Sequence, residues 1–423
     1  MLSFTNIVFM TKHLPLPIQF NQEREITEQL CKPLSVEDYA TQIDWFASPP
    51  KWHLAHTTWF FESFVLEKFY TSYRPFDEQF AFLFNSYYIS KGNRLSQSDR
   101  GSLAHPSIDR IYEYRRYVNR HIIELLESSD SEIEKLIILG LNHEQQHQEL
   151  LLADIKYNFG SSPLLPTYIE KSFKFDSKIN PQEFIAIDEG VYDIGHNDDS
   201  FCFDNEMGFH KQYLQSAEIS KRLVTNREYA GFIADGGYNN AMLWLSDGWK
   251  WVKENNITKP LYWERREKGW NYFTLHGLRK LDQSAPVSHI SYYEANAFAR
   301  WAGYRLPTEF EWETASKVHH KADKSQNLLE SENFLAIPKE LDNTGVIGNL
   351  WEWTESAYLP YHGYKQDKGS LGEYNGKFMI NQMVLRGGSY ATPLLHIRNT
   401  YRNFYYPNMR WMFSGIRLAK SYD

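Results

Sequence analysis

The pattern of the sequence changes once, near residue 158, and this change constrains the fold more than any other feature. From about residue 23 to residue 158, apolar residues recur with a period near 3.6 and glycines are few, which is typical of packed helices. Gly160-Ser161-Ser162-Pro163 follows, and beyond it short β-rich runs alternate with turn residues. The sequence therefore predicts an α+β protein with a helical N-terminal domain and an irregular α+β C-terminal domain.

We place the helical domain at residues 1–165, a linker at 166–182 and the second domain at 183–423. A chain of 423 residues is too long for one ordinary core, which agrees with such a division. Long helices are predicted at 52–69, at 107–126 and from 131 to about 155. The residues that could cap the third helix are Ser129, Asp130 and Ser131. Helical patches are expected in the second domain near 226–234 and 292–301.

Composition limits the partners of the chain. Lysine and arginine number 45 against 53 acidic residues, a net charge of −8, which argues against sequence-independent binding to nucleic acid or anionic membranes. Cys31 and Cys202 are the only cysteines, so no disulfide framework is available. No apolar run approaches the roughly 20 residues of a membrane span, and no signal-peptide pattern is present. We expect a cytoplasmic protein that acts on small molecules, with neither nucleic acid nor membrane as a partner.

The third predicted helix carries the spacing of a metal site. His143 and His147 are four residues apart, so on a helix both imidazoles lie on one face and can reach one ion. The alternative is a hydrogen-bonded pair of core histidines. In the first predicted helix, either His53 or His56 can supply a third imidazole across the bundle, and spacing does not choose between them. Three neutral ligands leave a divalent iron with open positions for oxygen chemistry, and three histidines also serve catalytic zinc.

The same residues have the His-Glu-x-x-His pattern of zinc metallopeptidases, in which Glu144 is the general base. The metzincin extension is absent, since Leu150 and the following residues do not supply its glycine and histidine. A peptidase with a distant glutamate ligand, such as Glu170, stays open as an alternative. A third possibility is a binding protein with a vestigial site.

Two tyrosines and two arginines stand between the histidine segments. Tyr87 and Tyr88 are adjacent, which packing explains as well as chemistry, although a phenol near a redox metal can deliver a proton or a hydrogen atom. Arg94 and Arg100 are candidates for binding a substrate carboxylate, or are plain surface charge.

The C-terminal half contains a series of motifs that resembles the formylglycine-generating, sulfatase-modifying-factor fold, at 286–295, 301–313, 348–354, 386–390 and 415–418. The resemblance implies an irregular, C-type-lectin-like α+β domain. It does not imply the formylglycine reaction, because those enzymes need cysteines late in this domain and none follows Cys202 here.

The N-terminal half resembles DinB-like four-helix bundles, and the two halves together resemble the ergothioneine-type sulfoxide synthases, or hercynine oxygenases. The segments that carry this second resemblance are 52–62, 142–149, 358–361 and 396–405. These enzymes use non-haem iron(II) and O2 to join a thiol sulfur to C2 of an imidazole. The resemblance implies that iron(II) is bound by His56, His143 and His147, and it leaves Glu144 without a role as base.

The resemblance also implies substrates and their contacts. The Asn-Ser-Tyr-Tyr stretch resembles the same stretch in the branch of the family that uses free cysteine as sulfur donor. By that resemblance, Tyr87 and Tyr88 are the candidates for donating a proton or a hydrogen atom. The acceptor is hercynine, a trimethylated histidine, with Gln146 at its imidazole and Phe404 and Tyr405 at its quaternary ammonium, which aromatic faces recognise. Arg94 is a candidate substrate-binding residue. Alternatives are γ-glutamylcysteine or a selenosugar as donor, and unmethylated histidine as acceptor.

Overall fold

The computed structural model describes residues 14–86, 88–173, 179–267, 269–319, 326–338, 346–366 and 375–422. These residues form two compact units, and the division between them falls at residues 169 and 170. The first unit is helical and the second contains all the strands of the described chain. The predicted α+β architecture is therefore confirmed. None of the described helices has both the length and the hydropathy that crossing a bilayer requires.

The first unit is a bundle of four long helices with short helices between them. Its helices are α1 (Leu16–Cys31), α2 (Pro50–Phe61), α3 (Glu67–Phe69), α4 (Phe80–Phe84), α5 (Ile108–Leu126) and α6 (Ser131–Ser161). A π-helical turn, Glu62–Leu66, joins α2 to α3, so the predicted helix at 52–69 is one continuous helical segment in three parts. Helix α2 packs against α5 and α6, and α1 packs against α6.

Local sequence explains where these helices begin. The side chain of Ser107 accepts a hydrogen bond from the backbone N–H of Arg110 at the start of α5. The carboxylate of Asp130 accepts from the N–H groups of Glu132 and Ile133 at the start of α6. Such caps satisfy donors that a helix leaves open and contribute about 1 kcal/mol each.

Helix α2 is the centre of the bundle. Every residue from Pro50 to Phe61 is buried, as expected of a helix surrounded by other helices. Its approach to α6 is close at Gly140, where an added Cβ would lie 2.4 Å from Cε1 of Phe61. Gly140 is three residues before His143, so this close approach brings the histidines of the two helices within reach of each other.

The described residues of the second unit form four α-helices and several small sheets. The helices are α7 (Asn226–Ala234), α8 (Ser246–Glu254), α9 (Tyr292–Trp301) and α10 (Glu309–His319). The strands are β1 (Phe184–Ile187), β2 (Gly190–Ile194), β3 (His210–Leu214), β4 (Ala217–Ser220), β5 (Trp263–Arg266), β6 (Gly269–Thr274), β7 (Gly277–Lys280), β8 (Trp351–Ala357), β9 (Met383–Arg386), β10 (Asn403–Tyr405), β11 (Ser414–Gly415) and β12 (Ala419–Ser421). The expected helical patches coincide with α7 and α9, and both begin with a capping box.

The strands of the described segments form four sheets, in the orders β1-β4-β12, β2-β3, β5-β6-β7 and β10-β9-β8-β11. Pairing is antiparallel except between β11 and β8. Strand β10 is at an edge of the largest sheet, where Phe404 is opposite Val384 and Tyr405 is opposite Met383.

Buried ion pairs hold the irregular segments of this unit together. Arg386 donates to Glu313 at 2.7 Å, Arg402 to Glu309 at 2.8 Å and Arg417 to Glu352 at 2.6 Å. Gly387 follows the first of these arginines at φ +100°, and a Cβ there would lie 2.9 Å from the carbonyl oxygen of Val346. The motifs at 386–390 and 415–418 therefore have a structural function in this unit.

Candidate metal centre

Three histidines converge inside the helical unit. His56 comes from α2, and His143 and His147 come from successive turns of α6. Each offers a ring nitrogen that lies within 4.8 Å of the other two, and the three ring centroids are 4.7 to 5.0 Å apart. Among the described residues, no other group of three histidine, cysteine or acidic side chains is so arranged. The three imidazoles are close enough to share one ion.

Burial keeps these imidazoles neutral. All three side chains are less than a tenth exposed. Desolvation lowers the pKa of His143 to about 4. Desolvation, and next the neighbouring His143, lowers the pKa of His56 and that of His147 well below the ordinary value of 6.5. Because only a neutral imidazole binds a metal ion, the ligands are in the correct protonation state at neutral pH.

The ring of His56 is fixed on both faces and at one nitrogen. Its Nδ1 lies 2.6 Å from the carbonyl oxygen of Phe84. The ring of Trp52 stacks on it at 4.5 Å and 11°, and Trp59 stacks at 5.6 Å and 17°. The guanidinium of Arg100 lies 3.3 Å from the ring centroid of Trp52. A ligand held in this way needs little rearrangement to bind an ion.

His53, which spacing left as an alternative to His56, lies outside the group of three. Its Nδ1 is 2.9 Å from Nδ1 of His147, and its Nε2 is 3.0 Å from Oδ2 of Asp154. His53 therefore contacts His147, a member of the group, through the Nδ1 nitrogen of that ring.

The donor set fits a transition metal. Imidazole nitrogens are common ligands of iron, zinc, copper and nickel. Nδ1 of His143 is buried and has no hydrogen-bond partner among the described residues, although buried polar groups are nearly always satisfied. The group of three histidines therefore retains one unsatisfied ring nitrogen.

Glu144 points into a different network. Its Oε2 accepts from Arg24 at 2.7 Å, and its Oε1 accepts from Arg115 at 3.1 Å and from Thr27 at 2.7 Å. Desolvation of this fully buried carboxyl opposes ionisation, but the charges of Arg24 and Arg115 lower its pKa overall. Glu144 is thus an ionised partner of two buried arginines, an arrangement unsuited to a general base.

Two family models match the chain, one in each unit. Residues 19–151 match the DinB superfamily. Residues 170–334 and 319–422 match the sulfatase-modifying factor enzyme 1-like domain, which accounts for more than half of the 423 residues. Both domain resemblances found in the sequence are confirmed.

A hercynine oxygenase of Mycobacterium tuberculosis is 30% identical to this chain over 70% of the chain and 73% of its own length. The chain belongs to the hercynine oxygenase family. The enzyme of that name from Mycolicibacterium smegmatis is 27% identical over 77% of the chain and 86% of its own length. Ergothioneine biosynthesis protein 1 of Schizosaccharomyces pombe is 27% identical over 75% of the chain and 44% of its own length. Membership of the hercynine oxygenase family makes the chain an oxidoreductase.

The polar segment after α4 is adjacent to the three histidines. Ser86 has its Oγ 3.5 Å from Nε2 of His56, and its carbonyl oxygen accepts from Arg94 at 2.6 Å. Tyr88 is buried and packs on Trp59, with 5.7 Å between ring centroids. Tyr87 lies outside the described residues. The structure therefore brings Tyr88 and Arg94 into the surroundings of His56, within the same unit.

The other residues predicted from the hercynine oxygenase resemblance lie on two elements. Gln146 is half-buried on α6, directly before His147. Phe404 and Tyr405 are half-buried on β10 of the second unit. The ring of Phe404 stacks on Tyr358 at 4.1 Å and 10°, and Tyr405 meets Trp411 edge-on at 5.2 Å.

Several residues that surround the three histidines were not predicted from the sequence. The sequence does not by itself predict a role for Asp154, although this residue is eleven residues after His143, close to three helical turns and on the same face. The prediction that Arg100 is surface charge is wrong, because Arg100 is buried and its guanidinium lies over the ring of Trp52. The pairing of Trp52 and Trp59 around His56 was readable from their seven-residue spacing.

Proposed function

We propose that this chain is an iron(II)- and O2-dependent sulfoxide synthase that joins the sulfur of cysteine to C2 of the hercynine imidazole. The observation that carries the proposal is the buried, neutral group of His56, His143 and His147 in a chain of the hercynine oxygenase family. The relatives, a hercynine oxygenase and an ergothioneine biosynthesis protein, support hercynine as the acceptor and ergothioneine biosynthesis as the context.

The three imidazoles would hold iron(II) through one nitrogen each, leaving other positions open because no carboxylate belongs to the group. When bound, the iron supplies the redox chemistry that couples oxidation of a thiol and an imidazole C2–H to reduction of O2. The overall balance is one thiol, one imidazole C–H and one O2 giving one C–S bond, one S=O bond and one water. Sulfur and the imidazole carbon lose four electrons in total, and O2 gains them.

The segment from Asn85 to Arg94 would hold the donor side of the reaction. Asn85 fixes the backbone of Tyr88 through two hydrogen bonds, from its side-chain amide to the Tyr88 carbonyl and from the Tyr88 N–H to its Oδ1. We assign Tyr88 to delivering a proton or hydrogen atom, and from the family resemblance we propose Tyr87 as the alternative donor. Arg94, whose guanidinium reaches the Ser86 carbonyl, is assigned to the carboxylate of a substrate.

From the family resemblance we assign hercynine recognition to Gln146 in the helical unit and, as a separate prediction, to the aromatic residues of β10 in the second unit. An amide on α6 beside His147 can hydrogen-bond an imidazole nitrogen. A trimethylammonium donates no hydrogen bond, so it binds to ring faces, and the half-buried Phe404 and Tyr405 present such rings. The tight stack of Phe404 on Tyr358 keeps its ring in one orientation.

The environment of Glu144 weighs against the zinc peptidase alternative. A peptidase base must reach a metal-bound water, whereas Glu144 is ion-paired to Arg24 and Arg115. The buried group also lacks a carboxylate ligand among the described residues.

The test is anaerobic loading of the apoprotein with iron(II), followed by air, hercynine and cysteine, and mass spectrometry of the products. We expect a sulfoxide whose formation requires both iron and O2. His56→Ala should abolish the product, whereas His121→Asn, a change at another histidine of the same unit, should not. Parallel reactions with γ-glutamylcysteine as donor, or histidine as acceptor, identify the preferred pair. No O2-dependent sulfoxide from any pair would contradict the proposal.

A further inference from the structure

Three side chains of α2 and α6 form a hydrogen-bonded chain that ends at His147. Oδ2 of Asp154 lies 3.0 Å from Nε2 of His53, and Nδ1 of His53 lies 2.9 Å from Nδ1 of His147. Asp154, His53 and His147 are all less than a tenth exposed. The same Oδ2 also accepts from the backbone N–H of Ser48 at 2.8 Å, which anchors the carboxylate.

Hydrogen-bond donors and acceptors along this chain determine where each proton lies. A carboxylate only accepts, so the proton between Asp154 and His53 belongs to Nε2 of His53. In a neutral imidazole the other nitrogen is then an acceptor, so Nδ1 of His53 accepts and Nδ1–H of His147 donates. The remaining nitrogen of His147, Nε2, carries a lone pair and no proton.

We infer that Asp154 and His53 are positioning residues that set the tautomer and the ring orientation of His147, so that its Nε2 is presented to the metal ion. The inference rests on the metal site of the proposed function and extends it to two residues that bind no substrate and no metal. The negative charge of Asp154, transmitted through the imidazole of His53, also makes His147 a stronger electron donor.

The Nδ1 atoms of the other two proposed ligands have different surroundings. His56 donates from Nδ1 to the Phe84 carbonyl, an acceptor-only group that likewise leaves Nε2 free of a proton. Nδ1 of His143 has no partner among the described residues. His147 is therefore the ligand whose basicity depends on a buried carboxylate, and the effect of Asp154 is expected to be specific to it.

The first test uses cobalt(II) as a probe and measures its affinity for the apoprotein by anaerobic competition with a chelator. His53→Leu removes the acceptor for Nδ1–H of His147 and should weaken binding about 10- to 100-fold. His53→Asn places an amide oxygen near the former Nδ1 and should restore affinity to within about threefold of the original protein. The matched control is Glu62→Gln, which alters another buried carboxyl of the unit, bonded to Tyr73 and Tyr114, and should leave affinity unchanged.

Asp154→Asn can keep both hydrogen bonds through its amide oxygen but removes the charge, so its affinity should fall between those of His53→Asn and His53→Leu. If His53→Leu and His53→Asn bind cobalt as tightly as the original protein, or lose affinity equally, the inference is wrong. A second measurement is made on the original protein, so it does not depend on whether a variant folds. The ¹⁵N shifts of the His147 ring in the apoprotein should show a proton on Nδ1, and a proton on Nε2 would overturn the inference.

Failure of this inference is distinguishable from failure of the proposed function. Normal sulfoxide formation with equal cobalt affinity in all variants would refute the positioning role alone. The expected order of affinities without any sulfoxide would refute the reaction alone. A protein that binds neither iron nor cobalt would refute both.

Discussion

Replacing Glu144 by glutamine should destabilise the helical unit, and the structure gives the size of the effect. The carboxylate is fully buried and its oxygens lie 2.7 Å from Arg24 and 3.1 Å from Arg115. Glutamine has nearly the same shape but no charge, so the buried guanidinium of Arg24 loses its counter-ion and that of Arg115 keeps only Glu28, at 3.1 Å. Removing one partner of a buried ion pair costs about 3 to 5 kcal/mol, which for a unit of this size lowers the melting temperature by about 6 to 20 °C.

The assay is urea denaturation of the apoprotein at neutral pH, followed by the helical circular dichroism signal. Glu132→Gln is the matched control, because it makes the same change on the same helix in an exposed pair with Lys68, worth at most about 1 kcal/mol. An unfolding free energy of Glu144→Gln within about 1 kcal/mol of the original protein, together with lost activity, would refute this reasoning and restore the role of a catalytic base.

The difference in unfolding free energy between the original protein and Glu144→Gln should depend on pH in a defined direction. The folded-state pKa of Glu144 lies below its ordinary value of 4.5, so the stabilisation is fully present above that value. It is lost as the pH falls through the folded-state pKa, because the carboxyl then takes up a proton. The stability difference between the original protein and Glu144→Gln should therefore stay constant from neutral pH down to about 5 and narrow below it.

Three other predictions concern packing, protonation and recognition. Gly140→Ala should lower the melting temperature, because the added Cβ would overlap the ring of Phe61. This effect should exceed the preference of about 1 kcal/mol that alanine has over glycine in a helix. A higher melting temperature in thermal unfolding would contradict the close approach. Burial lowers the pKa of His143 to about 4, so cobalt affinity should change less than about twofold between neutral pH and pH of about 5. A loss of about tenfold or more in competition titrations over this range would place that pKa near its ordinary value. Phe404→Leu should raise KM for hercynine about 2- to 30-fold in steady-state kinetics and leave KM for cysteine unchanged, and an equal change in both would count against a cation-π role.

The helices of the first unit illustrate what local sequence can predict. Helices α5 and α6 begin within one residue of the predicted positions, since their caps at Ser107 and Asp130 are short-range hydrogen bonds. Helix α1 was not predicted as an element, because its apolar residues alternate with charged ones such as Glu23 and Arg24. These become buried only through partners contributed by other helices, among them Glu144 and Gln148.

The surroundings of the histidines depended on long-range contacts in the same way. The i, i+4 spacing of His143 and His147 predicted one shared face from the geometry of a helix alone. The assignment of His56 was implied by family resemblance, since His53 is only three residues away and equally plausible by spacing. In the structure both histidines face α6, and the choice follows from their positions along the two helices. His56 lies beside His143 and His147, whereas His53 lies between His147 and Asp154.

The sequence by itself determined the two-part architecture, the main helices and the paired ligands on α6, because periodicity, caps and short spacings act within a few residues. Only the tertiary structure decided that Glu144 pairs with Arg24 and Arg115 and that Asp154 supports His147 through His53. The physical reason is that a buried charge or imidazole takes its role from the partners that surround it. Those partners come from helices far apart in the chain, so they become neighbours only when the bundle packs.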